Sequence, residues 1–435
     1  MTSGEAKFYH QEADGKLRTV KLPIESMDCC GACSTIKGEQ LKLCSGCGER
    51  LYCSSECQSV DWRVHKRSCG KTDRIDLGVY YPLLALIAEK CRMNVQTHPP
   101  DGVHFAINHQ ILNHPSPDPP FTTFPGGYKA RPVILGDEIP LSVDMIKKWW
   151  PGAPSPKVAS KLQRRILRGG NPLPINIAVC VALLSEIYTT DSSKDSKPRI
   201  RLAYKSSPIA DFGIVVGDTI VQPQDRLAYY DSATGNITVD QDPHEHSWIY
   251  FTTIRGEDIF LDCGMFHFNA CTCVSTKGCC PREESEMFPV VPALFYGRDM
   301  RNGVPGTPWK ERGRFSVLRN ENLQTAIQHT PYTLTFDDRI NIWDFLETCQ
   351  GDKESTIKQR KLVDLYTIAA MDAVRTSLES SEWKKFPNEV MQGIETDPAE
   401  PDYTNFTEQD WEEHLMRWQK QISQAKKEAR KRRKA

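Results

Sequence analysis

Between Cys30 and Cys69 the sequence places seven cysteines and one histidine in the series C-x2-C-x10-C-x2-C-x5-C-x3-C-x7-H-x3-C. Thiolate and imidazole are ligands that zinc prefers, and eight of them suffice for two tetrahedral sites, each closed by four protein atoms. The C-x2-C pairs Cys30/Cys33 and Cys44/Cys47 each present two thiolates from one tight turn, and Gly46 and Gly48 let the backbone fold around an ion. Cys53 and Cys57 are four residues apart, as are His65 and Cys69. On a helix such pairs share a face, so each can converge on one ion. Ser54 is placed to cap the turn that presents Cys57. A site with four protein ligands has no vacant position for water or substrate, so this chemistry is structural rather than catalytic.

The rest of the chain must support that module. With 435 residues, 39% of them hydrophobic, it is too long for one small core and too apolar for global disorder. Two or three domains are expected. The net charge of −1 gives no electrostatic reason for a nucleic-acid partner of the chain as a whole. Eight of the sixteen cysteines precede residue 70, while the start MTSGEAKFYHQEADGK lacks an apolar signal core. Metal binding in a reducing compartment, nucleus or cytoplasm, is therefore expected rather than a disulfide framework. No window of about 20 apolar residues suggests a membrane span.

Four segments follow from composition. Residues 1–28 are a polar lead-in with a short strand, and 29–70 are the cysteine-rich module. Residues 77–395 form an α+β body, and 396–435 are an acidic linker and a basic helix. Within the body, the run from Leu77, the stretch VASKLQRRILRGG, the segment from Ile175 to Tyr188 and residues 356–378 read as helices. IRLAY, FGIVVGDTIV, LAYYDSATGNITV, SWIYFTTI and DIFLD read as strands, with a hairpin turn at the Ala-Thr-Gly-Asn stretch. His98 to Pro125 is proline-rich and reads as an irregular loop. A last helix from Thr407 carries the apolar stripe Trp411, Leu415, Trp418 and Ile422.

The ligand spacing resembles the MYND-type zinc finger at all eight positions. The filler LYCSSECQSVDWRVHKRSC, with Asp61-Trp62 and His65-Lys66, resembles the family's helical half. The resemblance implies interleaved ligation, with Cys30, Cys33, Cys53 and Cys57 on one zinc and Cys44, Cys47, His65 and Cys69 on the other. It leaves Cys29 as a spectator thiol. Interleaving ties distant segments together, so that two ions stand in for a core that forty residues cannot build. The resemblance further implies a protein-interaction module that docks proline-containing peptides, PxLxP-like, with Trp62 or Gln58 on the docking surface. More loosely, YYPLLALIAEKC and HSWIYFTT…LDCGMFHFN resemble the body regions of uncharacterised fungal MYND-finger proteins, which brings no activity.

Three enzymatic or metal readings compete with a pure adaptor. A SET-type lysine methyltransferase would need part of its domain before the finger, where only 29 residues stand. It would also need an Asn-His-Ser-Cys signature, which Asn108-His109 and Asn113-His114 do not supply. A transglutaminase-like or papain-like site would combine Cys180, His246 and Asp262, which occur in the order nucleophile, base and orienting acid. A third metal site would draw on Cys263, His267, Cys271, Cys273, Cys279 and Cys280, whose spacing fits no standard zinc pattern. The tail from Lys426 to Lys434 holds seven basic residues against one acid and resembles a nuclear localisation signal, with phosphate binding as the alternative use. The leading expectation is a zinc-dependent adaptor with two zinc ions, and a cysteine-dependent enzyme in the body is the competing class.

Overall fold

The computed structural model describes residues 18–22, 29–35, 41–67, 69–93, 104–113, 121–139, 148–190, 199–303, 306–328, 334–351 and 353–395, with residues 407, 409 and 416. The acidic linker, the expected stripe Trp411, Leu415, Trp418 and Ile422, and the basic cluster from Lys426 to Lys434 lie outside the described residues. The helices that matter are α1 (Ser55–His65), α2 (Leu77–Met93), α3 (Pro156–Leu167), α4 (Pro172–Ile187), α5 (Phe336–Cys349) and α6 (Ile357–Glu379). The strands are β1 (Thr72–Asp76), β2 (Lys129–Glu138), β3 (Arg199–Tyr204), β4 (Ser207–Thr219), β5 (Leu227–Asp231), β6 (His246–Thr253), β7 (Asp258–Asp262), β8 (Leu294–Tyr296) and β9 (Trp309–Ser316). The architecture is α+β.

Helix α4 is apolar on nearly every side, from Ile175 through Ile177, Val179, Val181 and Leu183 to Ile187. Such a helix has to be covered all round. The main sheet, α2 and α6 do this, and their side chains merge with those of α4 into one large core. Pro172 opens the helix at its first turn, where a missing N–H costs nothing. Helix α6 begins with a full capping box, Thr356 with Gln359, and α5 repeats the device with Thr335 and Asp338.

The main sheet runs β8–β7–β6–β4–β3–β1, and β9 pairs with the distal half of β4. All pairings are antiparallel except β1 with β3, which are parallel with Thr72 opposite Arg199. Period-two alternation gives the sheet two different faces. Ile249 and Phe251 of β6 join the α4 core, while Trp248 and Tyr250 join a second cluster with Val215, Tyr296 and Trp309. Gly213 permits the close approach of β9, since a Cβ there would lie 2.0 Å from the Phe315 carbonyl oxygen.

A smaller sheet is centred on β2, with β5 beside it in parallel, His109–Ile111 on its other side and the strand Ile237–Val239 beyond β5. Trp149 and Trp150 and the apolar face of α3 cover it. The proline-rich stretch is therefore not wholly irregular. It contains a 3-10 turn at Phe105–Asn108 and two short strands, which its prolines concealed.

Two segments expected outside the body belong to it. Thr19–Val20 pairs with Thr189–Thr190, and Arg18 donates to Ser185 Oγ at 2.8 Å and to the Ile327 carbonyl at 2.9 Å. Arg18 shares the buried Glu186 with Arg375, whose guanidinium approaches the carboxylate at 3.1 Å. Strand β1, ahead of residue 77, is an integral strand of the main sheet. Among the described residues no single helix is long and apolar enough to cross a membrane. Leu184 is fully buried at the centre of this packing. Leu184→Ala is expected to lower unfolding free energy by about 2–5 kcal/mol, read as a lower denaturation midpoint in urea, since the cavity cannot collapse against a sheet and two helices.

Candidate metal centre

Each ligand is positioned by a short local structure. A hairpin, Lys42–Leu43 against Leu51–Tyr52, carries the Cys44–Cys47 turn at its tip. The turn closes through Gly48 N–H to the Cys44 carbonyl at 2.7 Å, and Gly48 adopts a left-handed φ of 64°. The Cys30–Cys33 turn closes through Ser34 N–H to the Cys30 carbonyl at 2.9 Å, and Gly31 N–H ties it to Leu51 of the hairpin at 2.8 Å. Ser54 caps α1, its hydroxyl accepting from Cys57 N–H at 3.2 Å. Cys69 N–H continues the helical pattern onto the His65 carbonyl at 2.9 Å, so His65 and Cys69 stay on one side.

The eight ligand atoms gather into two groups, Cys30/Cys33/Cys53/Cys57 and Cys44/Cys47/His65/Cys69, each with all its donor atoms within 4.8 Å of one another. In the first, Cys53 Sγ lies 3.6 Å from both Cys33 Sγ and Cys57 Sγ. In the second, Cys44 and Cys69 sulfurs are 3.7 Å apart, and Cys47 Sγ lies 3.3 Å from His65 Nε2. Tetrahedral zinc with bonds of about 2.3 Å separates its sulfurs by about 3.8 Å. The observed edges match that figure, so the donor set fits two zinc ions. Gly46 is required beside the second group, because a Cβ there would sit 2.9 Å from Cys69 Sγ.

Electrostatics explains why a cation belongs at both centres. Burial raises the Cys47 thiol to about 12. At Cys53, hydrogen bonding with Cys57 and Cys33 likewise lifts the thiol to about 12. Cys30 goes the other way, to about 6, because backbone N–H groups around Cys33, Cys53 and Ala32 outweigh the opposing effect of its burial. Crowded sulfurs cannot all ionise without a compensating positive charge. Burial and the nearby Arg50 lower the His65 pKa, which favours the neutral imidazole that metals bind.

Asp61 is a functional residue that ligand spacing does not reveal. It accepts from Arg50 at 3.0 Å and from the Tyr52 hydroxyl at 2.7 Å, clamping α1 onto the hairpin. Beyond Cys69 only Gly70, at a left-handed φ of 70°, and Lys71 precede β1. Arg74 of β1 donates to the Cys47 carbonyl, and Thr72 donates to Glu49 at 3.4 Å. Gly48 sits against Pro208 and Ile254 of the body, its absent Cβ only 3.3–3.4 Å from them.

The proposed nucleophilic triad is not assembled. His246 Nε2 and Asp262 Oδ2 do meet, at 2.6 Å, but Cys180 does not join them. Cys180 lies on α4, with Sγ 3.9 Å from the Gly213 carbonyl, on the face of the sheet opposite His246. Ser247, the next residue along β6, is the one that faces α4, receiving Asn176 Nδ2 at its hydroxyl at 3.1 Å. Complete burial also holds the Cys180 thiol well above its ordinary range, the reverse of an activated nucleophile. The His246–Asp262 pair is a buried polar clasp. Trp309 Nε1 donates to the same carboxylate at 2.8 Å, as does Gly264 N–H, and both side chains are inaccessible.

The third metal cluster also fails to gather. Cys263 and Cys279 belong to the main core, while Cys271 and Cys273 pack against Phe266. His267 turns away to the Arg165 carbonyl and Asp240. Among the described residues, only the two finger groups bring three or more metal-binding side chains together. Zinc ligands bind in their deprotonated forms, so acid competes with the metal. Elemental analysis is expected to find two zinc ions per chain near neutral pH. Bound zinc measured after gel filtration is expected to fall as the pH is lowered, because protons compete with the metal for the thiolates and the imidazole.

Comparison with known proteins agrees with this geometry. The MYND finger family matches residues 29–69. SET domain-containing protein 14 of Caenorhabditis elegans is 50% identical over 40 residues, 9% of this chain and 9% of that protein. Programmed cell death protein 2 of Bos taurus is 53% identical over 36 residues, 8% of this chain and 10% of that protein. The matched stretch thus spans about a tenth of each relative's length. No solved structure matches. With its interleaved groups of four ligands and a matching family pattern, the segment from residue 29 to 69 is a MYND finger built around two zinc ions.

Proposed function

We propose that this protein is an adaptor whose finger docks extended, proline-containing peptides of partner proteins, in transcriptional regulation. The observation that carries the reading is Trp62. It stands on α1, 45% exposed, with its ring edge-on to the ligand His65 at 6.0 Å between centroids. Val60 and Val64, 70% and 68% exposed, give the same helix further apolar surface. An indole held still by a metal ligand is a suitable platform for a polyproline II peptide, whose preformed conformation lowers the ordering cost of binding. Exposed aromatic anchors commonly dominate such contacts.

Trp62→Ala is expected to weaken binding of a PxLxP-type peptide by about 1–2 kcal/mol or more, roughly ten-fold, with two zinc ions retained. Isothermal titration paired with elemental analysis makes the check. Unchanged affinity in a zinc-replete variant would remove the peptide-docking reading. The same proposal assigns the protein to the nucleus or cytoplasm, with the basic residues between Lys426 and Lys434 as the import signal. A fluorescent reporter fused to residues 407–435 is expected to accumulate in nuclei. A reporter spread evenly through the cell would count against that signal.

A further inference from the structure

Helices α2 and α6 border a cavity of about 260 Å³ in the body. They run antiparallel beside it. Tyr80, near the start of α2, lies next to Ser377, near the end of α6, while Cys91, near the end of α2, lies next to Tyr366. The lining is largely apolar, with Leu86, Ile87 and Phe386 all buried. The adjacent thiols Cys279 and Cys280, which join no metal group, supply a further wall. Cysteine in such a place behaves as a small hydrophobe. Ala373 contributes only a methyl group, so α6 leaves the space open.

The charges around it are one-sided. Glu284, Asp372 and Glu382 line the cavity with a single lysine, Lys90, which Glu284 already pairs at 3.1 Å. Asp372 approaches Arg375 only at 3.7 Å, and that guanidinium is engaged by the buried Glu186 at 3.1 Å. Glu382 makes no ion pair among the described residues. Ser377 Oγ is buried on the same wall. The Tyr80 hydroxyl is its neighbour, but neither closes a hydrogen bond. A buried hydroxyl without a partner is costly, and a donor brought by a ligand removes that cost.

We propose that this cavity binds a small organic cation, a protonated primary amine on an aromatic or short alkyl body. The volume sets the size: it equals about nine waters at about 30 Å³ each, room for a ligand of about ten non-hydrogen atoms. The ammonium donates to Ser377 Oγ and is balanced by Asp372 and Glu382. All three belong to the C-terminal half of α6 or the turn beyond it, where the helix dipole also favours a cation. The body of the ligand lies against Leu86, Ile87 and Phe386. A carboxylate of the same shape meets two acids there, and a neutral hydrocarbon leaves the Ser377 hydroxyl unpaired.

Equilibrium dialysis of tryptamine against the full-length, zinc-loaded protein tests this. One saturable site per chain is expected, with a dissociation constant below about 100 μM. Indole-3-propionate, which carries a carboxylate on the same ring, is expected to bind about ten-fold or more weakly. Tryptamine is also expected to slow N-ethylmaleimide labelling of Cys280, read by peptide mapping, which locates the site. Ala373→Phe fills the cavity and is expected to abolish binding. Should that variant disturb the body, Glu382→Gln, a neutral isostere at the rim, is expected to weaken tryptamine about three-fold or more and to narrow its advantage over the acid. Absence of saturable binding, or equal binding of the amine and the acid, would overturn the proposal. Binding that leaves Cys280 labelling unchanged and is indifferent to Glu382→Gln would place the amine elsewhere and equally overturn it.

Discussion

The body depends on the burial of α4. An amphipathic helix needs cover on one side only, but α4 is apolar around its circumference and needs it everywhere. The main sheet takes one side, α2 and α6 take the others, and the N-terminal segment seals the end through Arg18 and Thr19–Val20. This accounts for why polar groups at the periphery are paired so carefully. Glu186 stands near the end of α4 and accepts Arg375 while approaching Arg18, so the buried carboxylate is compensated from two separate parts of the chain. Removing one partner of such a pair costs more than the pair contributes, because the remaining charge stays desolvated.

The finger follows the opposite logic. Its aromatic and aliphatic content is too small to make a core, and among the described residues its cluster joins Tyr52 and Leu41 to the cysteine side chains. Metal coordination replaces burial there, and its directionality replaces packing. Within this arrangement a polar clasp, Asp61 with Arg50 and Tyr52, fixes the helix that presents Trp62. The position of the exposed indole thus follows from ligand geometry and a single carboxylate rather than from a hydrophobic interior.

Much of this was legible in the residues. The eight ligands and their four local pairs follow from spacing, while the interleaved assignment of those pairs to two ions is what the resemblance to the MYND finger implies. Long apolar runs mark α2 and α4, a helical apolar face marks α6, and short β-like runs mark β3, β4, β6 and β7. What escaped was non-local. Strand β1 is charged at Asp73, Arg74 and Asp76 and looks like a linker until β3 pairs with it in parallel. Strand β2 carries Pro132 and Gly136, which disguise it, and its partner β5 is nearly a hundred residues away. The alternative triad of Cys180, His246 and Asp262 does not assemble, because chain order carries no information about which face of a sheet a side chain takes. A one-residue step along β6 separates the inaccessible His246 from Ser247, which faces α4.

The junction after Cys69 has a further consequence. With only Gly70 and Lys71 before β1, and with Arg74 holding the Cys47 carbonyl, the finger is joined to the body without a flexible spacer. Two surfaces on separate linkers find a common partner at an effective concentration set by linker length. Here that quantity is set by rigid geometry instead. A partner that spans finger and body meets both at one fixed separation, so a second contact that fits forms at little further entropic cost, and one that misfits by a few ångströms does not form at all.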